Sequence, residues 1–292
     1  MIPWLLAVLA LQQPAQPAVD VYSLRAVVSD AKGAPLRDLE TSDVSLTVGG
    51  ATVPLTRFEK DERPTRVALL VDSSQPLQNA FRLQFNEAAK AFVASLPSNT
   101  RLSVWTTGDR PTRVIDDLDV SEEGSAQQVS RTLSRAAAMG GNTVLDALIE
   151  AAEDLKKKEG ERSVLVFLSA QGAGFSSTER QGVVDRVLKT GVEVTGVVIA
   201  ERGDATAGGE VSPEEYDYVF ASLTDRTGGR LERPLTVMAA SPALMRVAAD
   251  LRSTYRLAFH FSGKKPAKIA LQVARPSVKV RLSAPQKETS SP

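Results

Sequence analysis

Residues 67–74 read VALLVDSS, residues 140–148 read GGNTVLDAL and residues 164–172 read VLVFLSAQG. The first and third open on five-residue runs without a polar side chain. A strand that is apolar at every position, rather than at alternate ones, has both faces covered, as in a parallel sheet between two helix layers. Residues 192–200, VEVTGVVIA, are a third, nearly continuous run of this kind. Residues 102–108, LSVWTTG, alternate more and read as a strand nearer an edge, with PTRVIDDL at 111–118 as an antiparallel neighbour. Between these runs, Phe81, Phe85, Ala88, Phe92 and Leu96 recur at helical spacing, as do Leu145, Leu148, Ile149, Ala152 and Leu155, and then Val183, Val184, Val187 and Leu188. A Gly-rich stretch at 203–209 precedes two more helical patterns, at 214–225 and 242–253. Buried strands alternating with amphipathic helices imply right-handed crossovers. The expected fold is α/β, with a doubly wound, mainly parallel sheet covered by helices on both faces.

The flanks have a different period. Residues 21–58 carry short alternating stretches with a tight-turn signal at Gly49-Gly50, and Pro64 interrupts the chain after them. YRLAFHF at 255–261, AKIALQV at 267–273 and VKVRLSA at 278–284 read as three more alternating strands. A small β unit formed by N- and C-terminal strands is therefore expected beside the main sheet. The organisation reads as an N-terminal β segment at 19–64, the α/β unit at 65–254, C-terminal strands at 255–285, and a polar tail at 286–292 expected to fray.

Composition narrows the function classes. Of 292 residues, 42% are apolar and 24% charged, the balance of a globular chain with a packed core. Lys plus Arg equals Asp plus Glu at 35 each, with the signs interspersed, so no basic field for displacing nucleic-acid counterions exists. There is no cysteine, hence no disulfide, no thiol nucleophile and no thiolate metal site. The start, MIPWLLAVLALQQPAQPA, has an apolar run at 4–11 followed by small residues near Ala15 and Ala18. That reads as a secretory signal over 1–18, too short to span a bilayer, and points to a periplasmic or secreted bacterial protein.

In an open parallel sheet, ligands meet the loops beyond the carboxyl ends of the strands. Those ends carry Asp72, Ser73 and Ser74 after the first run, and Ser169, Ala170, Gln171 and Gly172 after VLVFL. The loop MGGNT at 139–143 can reach the same edge with Asn142 and Thr143. In order and spacing, VALLVDSS, GGNTVLDAL and VLVFLSAQG resemble a von Willebrand factor type A domain. The flanks, from VVSDAKGAPLRDLETSDVSLTVGG to LTDRTGGRLERP, STYRLAF and VKVRL, are similar to the bacterial von Willebrand factor type A-related proteins, so the resemblance covers nearly the whole chain beyond the signal.

The resemblance implies a metal-ion-dependent adhesion site built from D-x-S-x-S after the first strand, a Thr in the second loop and an Asp after the fourth strand. Mg2+ is a hard cation that demands oxygen ligands, and a partner carboxylate can complete its shell. Asp72, Ser74 and Thr143 are the metal candidates here. Pro76 stands at the second Ser position, Asn142 falls at the Thr position when counted from Asp146, and Ala170 or Gln171 replaces the Asp. One carboxylate is a poor set for an ion that sheds water reluctantly, so a degenerate site is expected, with no cofactor and Mg2+ or Mn2+ as the alternative. The same residues serve equally well as loop and helix caps.

The expected function is thus non-catalytic: a protein-binding or adhesion module of the envelope, its rim formed by Asp72, Ser73, Ser74, Asn142, Thr143, Ala170 and Gln171. Alternatives are a metal-dependent adhesion domain, a structural scaffold subunit of an envelope complex, and, last, a metal-dependent hydrolase. GAGFS at 172–176 lacks the spacing and Lys of a phosphate loop, and His260 has no second His to share a metal.

Overall fold

The structure is a computed structural model that describes residues 20–74, 79–136, 140–156, 161–170, 174–200, 212–263 and 265–288. The expected signal at 1–18, the Gly-rich stretch at 203–209, and Pro76, Gln171 and Gly172 lie outside the described residues. The first four strands are β1 (Asp20–Ser29), β2 (Val44–Val48), β3 (Ala51–Val53) and β4 (Leu55–Lys60). The central unit follows as β5 (Thr65–Val71), α1 (Asn79–Val93), β6 (Thr100–Thr107), β7 (Pro111–Asp119), α2 (Ser125–Arg135), α3 (Val144–Lys156), β8 (Arg162–Ala170), α4 (Arg180–Thr190), β9 (Glu193–Ile199), α5 (Pro213–Thr227), β10 (Leu231–Glu232) and α6 (Ala240–Leu251). The chain closes with β11 (Thr254–Phe261), β12 (Ile269–Val273), β13 (Lys279–Leu282) and β14 (Gln286–Lys287).

The central sheet has the order β10-β9-β8-β5-β6-β7, and every pair is parallel except β6 with β7. Strand β5 begins the unit in the middle of the sheet, and the chain then winds outward first to one side and later to the other. The apolar runs alternate between the two helix layers. Val67, Leu69 and Val71 of β5 and Val164, Val166 and Leu168 of β8 pack under α1, α2 and α6. Ala68 and Leu70, with Leu165 and Phe167, face α3, α4 and α5, and Phe167 stacks on Phe220 at 4.3 Å between ring centres. Full burial of each large apolar side chain contributes roughly 1.5–3 kcal/mol, so these two layers dominate the stability.

Helix boundaries follow local chemistry. At α5, the Ser212 hydroxyl accepts from Glu215 N, the Glu215 carboxylate accepts from Ser212 N, and Pro213 fits the first turn, where its missing N–H costs nothing. The helix stops at Gly228, with φ +77°. A Cβ there would lie 2.5 Å from Ser283 N, so a side chain is excluded by both conformation and the neighbouring backbone. Helix α2 has no counterpart among the expected elements. Its buried apolar stripe is Ala126, Val129 and Leu133, with Ser125 buried at its start, set among Ser, Gln, Arg and Thr.

The flanking strands form two further sheets that share one apolar core. One has the order β13-β1-β11-β4 with β14 also on β1, and the other is β12-β2-β3. Tyr22, Leu24, Tyr255, Leu257 and Phe259 from the first meet Leu46, Val48 and Leu271 from the second. The expected frayed tail is corrected at its start: Gln286–Lys287 pairs with β1, Lys287 Nζ reaches Asp20 Oδ2 at 2.7 Å, and Glu288 pairs with Arg57 and Arg256. Its polar side chains hold a strand edge, which composition alone does not reveal.

This β unit grips the starting ends of the central strands. Arg162, 1% exposed at the start of β8, donates to Leu251 O, to Thr254 Oγ1 and to Glu193 Oε2 at 3.0 Å. Arg25 of β1 approaches the same Glu193 oxygen at 3.2 Å. Burial pulls the Arg25 guanidinium below its ordinary value, and the Glu193 charge opposes that pull. A second cluster joins Arg230 and Arg281 to Asp250 of α6. Seven residue steps along β8 lead from Arg162 to Ser169, about 23 Å at strand rise, so the opposite end of the sheet stays clear of the β unit.

At the strand-start end, Asp117 of β7 accepts from Arg101 at 2.9 Å and from Arg66. The Arg101 hydrogen bond, with Arg66 assisting, holds its carboxyl down at about 2. A depressed carboxylate contributes stability that is present above the unfolded value and lost as pH falls through the folded one. Asp117 is therefore expected to titrate near pH 2 in a side-chain carboxyl NMR titration, with an ordinary carboxylate value arguing that the two arginines are solvated instead.

Candidate functional site

Asp72 follows β5 at the middle of the sheet, where the connections leave to opposite helix layers. Its N–H makes the last rung of the ladder, to Leu168 O at 2.9 Å, and its side chain then folds back over the turn. Oδ1 accepts from Ser74 N at 3.0 Å and from Ser74 Oγ at 2.7 Å, the turn chemistry that Asp and Ser favour. Oδ2 accepts from Asn142 Nδ2 at 2.6 Å, Ser169 Oγ at 3.1 Å and Ala170 N at 3.3 Å. The residue is 3% exposed. Burial pushes the Asp72 carboxyl above its ordinary value, while the donors from Ser74, Ala170 and Ser169 pull the other way.

Asn142 precedes α3 and is oriented on both sides. Its Oδ1 accepts from Val144 N at 2.9 Å, capping the helix start, and from Thr107 Oγ1 at 3.3 Å. These two donors direct the amide nitrogen, not the oxygen, toward Asp72 and Ser169 Oγ. Asn142 O in turn accepts from Phe175 N and from the Tyr216 hydroxyl, both at 2.9 Å. The hydroxyl reaches it because residue 174 is glycine: a Cβ there would lie 1.9 Å from the Tyr216 oxygen. Desolvation raises the Tyr216 phenol well above its ordinary value, so it stays a neutral donor.

The strand-end loops thus bring together Asp72, Ser74, Asn142 and Ala170, with Ser73 half-buried beside them. Thr143 lies in the same loop but donates to Gly108 O at 3.1 Å, so Asn142 is the second-loop residue bonded to Asp72. Gln171 lies outside the described residues. Sequence reading omitted Ser169 from the rim, although its place at the end of VLVFLS was the available signal. Thr107 and Tyr216 carried no signal, since a Thr in a strand and a Tyr in an amphipathic helix are ordinary.

As a cation cradle this arrangement is a poor match. Both Asp72 oxygens already accept hydrogen bonds, one of them from the Asn142 amide N–H, and a methyl group stands at position 170. Among the described residues no group of three or more His, Cys, Asp or Glu could hold a metal. A hard divalent ion would have to displace neutral donors from Asp72, the carboxylate that the described residues offer at this network. What the groups make instead is a rigid, uncharged-donor network tying three loops to one buried charge.

Residues 65–193 match the family model described as von Willebrand factor type A domain. The chain contains a von Willebrand factor type A domain. The A domain's fold is seen in solved structures at low identity. A von Willebrand factor type A protein from Catenulispora acidiphila superposes with a TM-score of 0.54 at 10% identity, over 94% of this chain and 76% of that one. The pilus adhesin SpaC from Lactobacillus rhamnosus GG gives 0.53 at 10% identity, over 77% of this chain and 45% of the adhesin. Proximal thread matrix protein 1 from the mussel byssus, with a zinc-occupied adhesion motif, gives 0.51 at 16% identity, over 71% and 50%. The chain therefore spans about half the length of the latter two. No curated protein matches it significantly in sequence. Among the described residues, no helix of the A domain or its flanks is long and apolar enough to cross a membrane.

Proposed function

We propose that the chain is a non-catalytic protein-binding module of the bacterial envelope or exterior, whose A domain engages its partner through the strand-end rim without a resident ion. The observation that carries this reading is the closed network at Asp72, whose five hydrogen bonds come from the protein itself. A binding surface needs preorganised loops, and this network holds the ends of β5 and β8 and the loop before α3 in one arrangement. The β unit occupies the other end of the sheet, which leaves the rim available. Likeness in fold to a pilus adhesin and the apolar run at 4–11 support the envelope location.

A photo-crosslinking amino acid at Ser73 or Phe175 on the rim, or at Thr52 on β3, tests this in living cells, with EDTA added before irradiation. The rim positions are expected to capture one protein, unchanged by EDTA, and Thr52 none. Capture from Thr52 alone would make the chain a scaffold held by its outer strands. Capture abolished by EDTA would restore the metal-dependent reading.

A further inference from the structure

Beside Asp72, between α1 and α2, a cavity of about 370 Å3 opens at the rim. Its floor is Val71, Asp72 and Ser73, and its walls include Arg82, Leu83 and Leu133. Arg82 and Asp72 are the only ionisable side chains among the described residues that line it. The two charges are in different states. Asp72 has both oxygens committed and is buried. Arg82 makes one hydrogen bond, from Nη2 to Ala136 O at 2.6 Å, and no ion pair among the described residues. A guanidinium carries five N–H donors, so most of this one remains available for a fork-like pairing with a carboxylate.

We propose that this cavity takes an Asp or Glu side chain of the partner protein, held by the Arg82 guanidinium, with an aliphatic neighbour against Leu83. The inference rests on the rim reading and specifies its chemistry. A guanidinium held beside the strand-end crevice supplies a positive charge for a carboxylate to pair with. The Ala136 carbonyl pins the head group against the α2 end, so little rotamer freedom is lost on pairing. The walls formed by Val71, Leu83, Phe85 and Leu133 exclude water on one side, which strengthens the pair beyond that of an open surface. Leu83, 64% exposed at the mouth, offers apolar area to the residue next to the acid. The volume falls within the usual range of ligand pockets and accommodates one acidic and one aliphatic side chain.

The test uses the full chain, labelled with nitrogen-15, and two peptides, acetyl-Leu-Glu-Leu-amide and acetyl-Leu-Gln-Leu-amide, titrated in EDTA and followed by NMR. The Glu peptide is expected to shift the Arg82 side-chain N–H resonance saturably, with the Gln peptide at least about 10-fold weaker, the loss expected for a charge-assisted hydrogen bond. Arg82→Gln should remove the preference and Arg82→Lys should keep part of it, each with an unchanged melting temperature. Equal affinity for the two peptides, no binding by either, or a preference that survives Arg82→Gln would overturn the proposal. Failure here with capture still occurring from Ser73 and Phe175 discards Arg82 alone. Glu-peptide binding with capture only from Thr52 would instead discard the rim reading while leaving the cavity's chemistry in place.

Discussion

Glu193→Gln is expected to lower the free energy of unfolding by about 3–5 kcal/mol, the largest effect of any single polar substitution considered, because it removes one partner of a buried charge cluster. Glu193 sits at the start of β9 with its carboxylate against Arg162 and Arg25. Arg162 has no route to water: it is 1% exposed, and its remaining bonds go to Leu251 O and Thr254 Oγ1. A neutral amide oxygen can still accept from Arg162 and lie against Arg25, but it leaves these two cations, one buried and one largely buried, facing each other without their shared counter-charge. Asp61, paired with Arg63, already faces Arg162 and Arg25 as a second negative charge, and it offsets part of the loss without accepting the Arg162 hydrogen bond that Glu193 takes. The cluster also joins β1 to β8 and β9, so the loss should appear in both the β unit and the A domain. Urea unfolding followed by far-ultraviolet circular dichroism measures the change. A loss under about 1 kcal/mol would class the cluster with solvent-screened surface pairs and would leave the junction of the two units to apolar packing and the Asp250 cluster.

Asp72→Ala is expected to destabilise by about 2–3 kcal/mol, since it strands buried donors rather than merely deleting a charge. Ser74 N and Ala170 N lose their acceptor, the Asn142 amide keeps only Ser169 Oγ at 3.0 Å, and Ser169 Oγ is left to donate to Ala170 O at 3.3 Å. The relief of burying a carboxylate offsets part of this. Hydrogen exchange should quicken at residues 142–144 and 169–170 while the far end of the sheet stays protected. The opposite sign is informative too: functional groups held under strain commonly stabilise a protein when removed. A more stable Asp72→Ala variant would therefore mark Asp72 as a ligand kept ready for an ion, not as the centre of a closed network.

How far these features could be read in the sequence depended on how local their physics is. Strands β5, β8 and β9 were legible because burial on both faces leaves a continuous or, in β9 with its Glu193 and Thr195, nearly continuous apolar run, and the antiparallel β7 because its neighbour alternates. Helix α2 was not, since three small or medium apolar residues at 126, 129 and 133 are enough to seat it once α1 is alongside. The wall it adds to the cavity, with Leu133 and Ala136, was hidden with it. At the site, Asp72 and Ser74 could be found from their place after a buried strand. Choosing between Asn142 and Thr143 required knowing which turned toward Asp72, and that was decided by Thr107 and Val144, which no spacing rule joins. The pairing of Arg25 with Glu193 spans most of the chain and leaves no periodic trace. Arg82 looked like any charged residue on an amphipathic helix until α2 was placed beside it.

The most direct measurement is a calorimetric titration of the purified chain, stripped with EDTA and dialysed, with Mg2+ and then Mn2+ at millimolar concentration. Heats indistinguishable from dilution, and no change in melting temperature, are expected if the protein's own donors close Asp72. Saturable heat that disappears in Asp72→Ala would contradict this and identify the rim as a working cation site.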